Sequence, residues 1–588
     1  MPIGLTVPAF AVLLVIFYLP VAQLFLTSLN APNFSVVNYR AFFERWANVR
    51  VLYQTIEISA LTTAICLVIG YPTAYLIATA SKRLRIVLML CVFLPWLSSG
   101  LVRTYAWFVI LGDRGLINSL LLDLGLISAP LQIIFTRLAV YIGMVQIMLP
   151  AMIIPLLSVM LRMDESLVAA AKSMGARPSA AFWRVFFPLS LPGVRSGTLL
   201  VFIGCLGFYI TPAALGGLRD PMLSNFIAAQ IQISFNQAPI AATAFILLAV
   251  AAIVLSVLGV DVSGKQDLAV QAVPTSWRSA LPSIGRLNRF LNTLATPYRA
   301  KRWTAELYKA ARKSRWSTVV ATIFVVLVML YLVVPGVIVI AMSFSSGPYL
   351  EFPPSGVSLQ WYRSFFENAS WTGAAWISVQ IGIAVAILST VLGTLAAFGL
   401  NRTSSGPRVW LTMLILTPIM FPAIIVGIAT YLGLLNFGLI GSTIGVILAH
   451  SIGAISYVAV IVSATLANFD RRLEQAAMSM RGGPLQTFMR ITLPLIRPGI
   501  IGGALFAFIH SFDEVVITSL VGGFSVRTLP LKIWENMRNE IDPTIAAVAS
   551  LLTLLPVLWL IALYVTGWRS RSAAQRALPI ATGGAADS

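Results

Sequence analysis

Acidic residues are scarce in this chain, so each one inside an apolar stretch asks for a reason. The 588 residues carry 20 Asp and Glu against 40 Lys and Arg. Glu57, Asp513 and Glu514 fall within or beside long apolar runs. A charged side chain at membrane depth costs about 2.5–3.5 kcal/mol on insertion scales, so such groups face protein or a watery cavity. A carboxylate there favours a cation, by an attraction that grows as water is excluded. Tyr105, Trp107 and Tyr209 could line the same path and hold an ammonium on their ring faces. The competing roles are plain ones: capping or bracing helices for the carboxylates, packing for the rings. Catalysis has little to work with. His450 and His510 lack metal-ligand spacing, no His/Asp/Glu constellation stands at usable spacing, and Cys66, Cys91 and Cys205 read as packing residues.

Helices must position these groups. Hydrophobic residues make up 58% of the chain and charged residues 10%, with mean hydropathy +0.89; soluble domains carry about 25% charged residues. Apolar runs long enough to cross a bilayer recur throughout, continuous rather than alternating, which favours helices over a barrel. Spans are expected near 8–29, 52–79, 86–111, 138–160, 196–217 and 240–260, then near 318–343, 374–400, 409–433, 440–465, 500–521 and 545–566. Prolines 20, 72, 95, 150, 335, 418 and 422 are expected to kink or break them. The first run, Pro8 to Leu29, is too long for a cleavable signal and reads as the first membrane helix.

The net charge of +20 is a topology signal rather than a nucleic-acid footprint. Lys82, Arg83, Arg85, Lys172, Arg177 and Arg184 sit in short loops between apolar runs, the cytoplasmic pattern. Arg40, Arg45 and Arg50 oppose it, so the orientation, with both termini cytoplasmic, is a majority vote.

The chain also repeats itself. Tyr39-Arg40-Ala41-Phe42-Phe43-Glu44 returns as Tyr362-Arg363-Ser364-Phe365-Phe366-Glu367, an offset of 323 that also relates Gly70 to Gly393 and Pro95 to Pro418. Pro188 and Pro494 are offset by 306, so the first copy has 17 extra residues, placed in the loop from Asp113 to Arg137. The expected organisation is a membrane domain over 1–262, a basic cytoplasmic linker over 263–315 and a second membrane domain over 316–588. In the linker Trp303, Leu307 and Ala311 have the spacing of a short amphipathic helix that would lie on anionic lipid. Fold class is therefore all-α: twelve transmembrane helices in two parallel six-helix repeats around a central path.

One loop occurs in both copies: Ala169-Ala170-Ala171, three residues, Gly175, nine residues, then Val185 to Pro188; and Gln475-Ala476-Ala477, three residues, Arg481, nine residues, then Ile491 to Pro494. An Ala pair allows close docking, a glycine permits the turn that ends the helix, and the proline is expected to mark the segment's exit. The loop resembles the Glu-Ala-Ala coupling loop of ABC importer permeases. Ala169 and Gln475 stand where that pattern has glutamate, and Arg481 where it has glycine, with Gly482 one step late. Glu474 is a candidate substitute for the docking charge.

The resemblance narrows further. Leu101-Val102-Arg103-Thr104-Tyr105-Ala106-Trp107 and Gly207 to Pro212 are similar to the first permease of spermidine/putrescine importers, and Ser511-Phe512-Asp513-Glu514 to the second, with Glu514 in place of an aspartate. Importers of iron, opines and aminophosphonates share parts of it. The resemblance implies a non-catalytic permease of the bacterial inner membrane that takes small amines from a periplasmic binding protein. It also implies two cytoplasmic ATPase subunits that bind ATP and Mg. Coupling falls to Ala170, Ala171, Gly175, Pro188, Gln475, Ala476, Ala477, Gly482 and Pro494; Ser511, Asp513 and Glu514 join the substrate path. No phosphate-binding Gly-rich motif occurs, since Gly264-Lys265 is followed by Gln266. The rivals are a secondary transporter, against which the paired loops argue, and a membrane-embedded enzyme.

Overall fold

In the computed structural model the described residues are 2–257 and 315–558, apart from positions 218, 235, 348–351, 355, 540, 541 and 556. The basic linker, including Trp303, Leu307 and Ala311, lies outside them. Among the described residues nine helices are long and apolar enough to span a membrane, and two further pairs form broken spans. The last expected span is described as helix from Thr544 to Leu555.

The two halves are built alike. Trp46–Thr79 answers to Ala369–Arg402 and Lys82–Leu97 to Ser405–Met420, both at the 323 offset. After the extra loop, which holds the helix Leu116–Asp123, Arg137–Met160 answers to Thr443–Ala467 and Phe187–Leu206 to Leu493–Phe512 at 306. In each half the first, third and fourth of these helices form the packed centre. Lipid removes the hydrophobic drive between helices, so close approach at small residues matters most. A Cβ at Gly70 would stand 3.0 Å from Met152, and one at Gly197 2.9 Å from the same side chain. Gly393 and Gly503 flank Val458 in the same way, at 2.7 and 3.3 Å.

Each half lends its first helix to the other. Gly4–Ser28 packs Ala9, Leu13 and Phe17 into the second half's core; Phe17 meets Phe421 edge-on at 5.3 Å, and Tyr18 donates to the Leu414 carbonyl. Reciprocally, Val319–Met342 packs Val328, Met329 and Leu332 into the first half. There Tyr331 donates to the Ile142 carbonyl at 2.6 Å, and Gln146 donates to the Leu332 carbonyl at 3.1 Å. A third core cluster draws on both halves.

Four expected spans are not continuous. The run expected near 86–111 turns by 97° between Leu97 and Gly100, and that near 409–433 turns by 103° between Met420 and Ala423. Pro95 and Pro418 cannot donate into their helices, and Ser99 and Pro422 begin the next ones as caps. The runs near 196–217 and 500–521 start earlier than expected, at Pro178 and Pro484, and end at Leu206 and Phe512. Short helices Ile210–Leu215 and Val516–Val521 follow each break. Pro72, Pro150 and Pro335 stay inside unbroken helices.

Candidate functional site

The broken helices meet where the halves meet. At one crossing Gly207, in the first half's break, lies against Pro422 of the second; a Cβ at Gly207 would stand 3.1 Å from that ring. At the related crossing the partners are polar. Asp513 accepts from the Ser99 hydroxyl and, at 3.2 Å, from the Gly100 N–H that opens helix Gly100–Leu111. Ser99 also accepts from Val102 N–H at 3.4 Å, so two side chains from opposite halves cap this helix.

Beside that crossing lies a cavity of about 370 Å³, within the range of small-molecule sites. Trp96, Ser98, Ser99, Gly100, Arg103 and Ile147 line it from the first half; Tyr457, Phe506, Phe508, His510, Asp513 and Glu514 line it from the second. His510 lies in the last turn of helix Leu493–Phe512, Asp513 is its C-cap, and Glu514 follows in the break. Arg103 is buried and donates to the Ile147 carbonyl at 3.3 Å. The cavity thus gathers two carboxyl groups, one guanidinium and one imidazole. Five aromatic rings and several aliphatic side chains supply much of the remaining wall, which suits a cation with an apolar body.

Glu514 accepts from Ile517 N–H at 2.8 Å and so caps the short helix after it. Behind this break stands a directed hydrogen-bond chain. Thr518 donates to the Glu514 carbonyl at 3.0 Å, so it accepts from His450 Nε2–H at 2.9 Å; His450 Nδ1 then accepts from Ser511 at 2.9 Å. Ser511 therefore braces the break from behind and is absent from the cavity wall.

Four other expected path residues also lie off this cavity. Glu57 pairs with Arg137 at 3.3 Å, and Arg137 also holds Asp220 at 2.9 Å. Tyr105 and Trp107 are buried in the shared core, where the Trp107 and Tyr331 rings meet tilted, 5.5 Å apart. Tyr209 packs at 5.6 Å from Trp534 of the second half. The sequence reading missed Ser99, Arg103, His510 and Tyr457. Arg103 had a visible signal, a fixed charge inside an apolar run; Ser99 had none, because its partner is 414 residues away.

The coupling loops form helices Glu165–Ser173 and Arg472–Ser479. Ala171 and Ala477 turn inward, whereas Ala170, Ala476, Ala169 and Gln475 are exposed. Both helices end in one hydrogen-bonded turn: Ala176 N–H to the Ala171 carbonyl, and Gly482 N–H to the Ala477 carbonyl, each 3.0 Å. Gly175 has φ +84°, and Arg481 takes the same left-handed place at +64°. Gly482 serves differently: a Cβ there would stand 2.9 Å from the Ala477 carbonyl. Within each turn, at the C-cap, the equivalent Met174 and Met480 are 83% exposed, a feature the sequence did not single out. Asp164 caps the first helix; hydrogen bonds from the Ser166 hydroxyl and N–H hold its carboxyl below the usual range, so this cap is lost only as pH falls through that lowered value.

Two expectations fail here. Glu474 is not a free docking charge: it is buried, pairs with Arg402 and accepts from Thr492, and Arg402 lies 3.6 Å over the Phe398 ring. Nor do Pro188 and Pro494 mark an exit. A wider π turn, Phe182–Phe186 or Phe488–Thr492, precedes each proline and absorbs the missing N–H, so the helix runs on.

Duplicated helical halves, paired loops and a cavity between the halves that holds a few charged groups are the features of a transport component. The chain belongs to the family described as binding-protein-dependent transport system inner membrane component, which matches over residues 67–262 and again over 389–568. Among curated relatives, the spermidine/putrescine transport system permease protein PotB of Haemophilus influenzae is 37% identical over 187 residues, 32% of this chain. That match spans 65% of the relative's length, just under two thirds. The putrescine transport system permease protein PotI of Escherichia coli is 34% identical over 236 residues, 38% of this chain and 81% of its own.

Proposed function

We propose that this chain is the permease subunit that forms the translocation path of an ATP-driven importer for small amine cations, with polyamines as first choice. The observation that carries this reading is the cavity between the halves, where two carboxyl groups outnumber one guanidinium among apolar and partly aromatic walls. The names of the PotB and PotI relatives point the same way. A periplasmic binding protein would deliver the amine, and two cytoplasmic ATPase subunits would dock on the exposed faces of the two coupling helices. ATP and Mg belong to those subunits, and this chain does no chemistry. The reading places it in the bacterial inner membrane with both termini cytoplasmic, as domains 1–262 and 316–588 joined by the basic segment.

A second reading draws on Arg103. A buried guanidinium on the cavity wall would suit a cargo with an anionic pole as well as an amine, such as an aminophosphonate or an opine. Uptake into vesicles containing the whole complex separates the two. Radiolabelled putrescine and spermidine should enter in preference to a zwitterionic aminophosphonate and a simple anion. Preference for the zwitterion would favour the second reading, and preference for the anion would overturn both.

A further inference from the structure

We infer that the two neighbouring carboxylates have separate tasks: Asp513 latches the halves together, and Glu514 takes the cargo's ammonium. The Glu514 part rests on the amine-importer reading; the latch does not.

Asp513 is already engaged on the far side of the interface. One oxygen meets the Ser99 hydroxyl, and the other meets the Gly100 N–H at 3.2 Å, at the partly positive start of a helix from the first half. Arg103, one turn further along that helix, shares the cavity and offsets the same charge. An incoming ammonium would have to displace two hydrogen-bond partners to use this carboxylate. Glu514 also caps a helix start, but that helix belongs to its own half. Its hydrogen bond, from Ile517 N–H, comes from its own half, and among the described residues no cation lies within ion-pair distance of it. Its carboxyl lines the cavity and is tied to no side chain of the other half.

The related crossing shows what the latch adds. There the same backbone approach is made by Gly207 against Pro422, with no hydrogen-bonding side chain on either residue. If the crossings served only to pack, apolar residues would suffice at both. One polar and one apolar crossing give the interface a bond that can open and a pivot that need not. Parting of the halves at the polar crossing must break two charge-assisted hydrogen bonds, so the latch sets how readily the complex cycles without cargo.

The test uses the complete complex in vesicles. ATP hydrolysis without binding protein reads the latch: Ser99→Ala and Asp513→Ala should each raise it severalfold, and the double variant should add little, since both remove one contact. Ser99→Thr should return it to the wild-type rate. Amine uptake reads the cargo site: Glu514→Gln should raise KM about tenfold, a loss of about 1.4 kcal/mol, with little change in maximal rate. Asp513→Asn, which keeps an acceptor for Ser99, should leave KM within about threefold. Equal KM increases in Asp513→Asn and Glu514→Gln would overturn the division of tasks. Unchanged basal hydrolysis in Ser99→Ala would overturn the latch, even if Asp513→Ala fails to assemble. A wild-type complex that moves no amine would instead sink the importer reading, while the hydrolysis arm still decides the latch.

Discussion

Arg481 and Gly175 occupy one structural position in two copies, yet only one of them suits it. A side chain in the left-handed region costs roughly 1–2 kcal/mol, and glycine escapes that cost. Opposite outcomes are therefore expected at equivalent sites. Gly175→Val should destabilise the end of helix Glu165–Ser173 and impair transport without preventing insertion. Arg481→Gly should protect Arg472–Ser479, gaining up to about 1 kcal/mol after the entropy of the added glycine is counted. Hydrogen exchange over the two helices reads both changes, and exchange that slows in Gly175→Val would contradict the assignment.

At the scale of the element, the break after Phe512 depends on a histidine from a neighbouring helix. His450 is fully buried and ties Ser511, before the break, to Thr518, after it. His450→Phe fills similar space but leaves Ser511 without its acceptor and Thr518 without its donor. The expected cost is about 1–3 kcal/mol, read as a lower unfolding temperature of the purified chain in detergent. His450→Gln, with a donor and an acceptor at its end, should recover part of it. No loss in the Phe variant would mean that the chain of hydrogen bonds is incidental.

At the scale of the whole molecule, exchange of the first helices joins the halves independently of the covalent connection. A protease site placed between positions 263 and 315 and cut in the membrane should leave both fragments co-purifying, because Phe17 and Leu332 still sit in the opposite cores. With ATPase subunits added, native mass should give one chain to two ATPases before and after cutting. Separation of the fragments, or two chains per two ATPases, would contradict this arrangement.

Much of this was legible without coordinates, for reasons that differ by feature. Membrane class follows from composition, because lipid tolerates little charge and requires helices or barrels to satisfy the backbone. Duplication follows from paired motifs at offsets of 323 and 306; of the seven prolines expected to kink or break spans, those at 95, 418 and 422 fall where two spans break, whereas Pro72, Pro150 and Pro335 do not. The coupling loops were readable because local spacing defines their helix and turn. Tertiary structure alone decided which polar groups meet. Glu474 turned out to be consumed by Arg402, a neighbour 72 residues away, and Ser511 by His450, 61 residues away. Glu57 found Arg137, while Tyr105 and Trp107 went to the shared core. Periodicity gives a side chain a face on its own helix, but the partner on that face is set by packing between halves. The meeting of Ser99 with Asp513 depends on two broken helices crossing at one point, and a linear pattern holds no term for that.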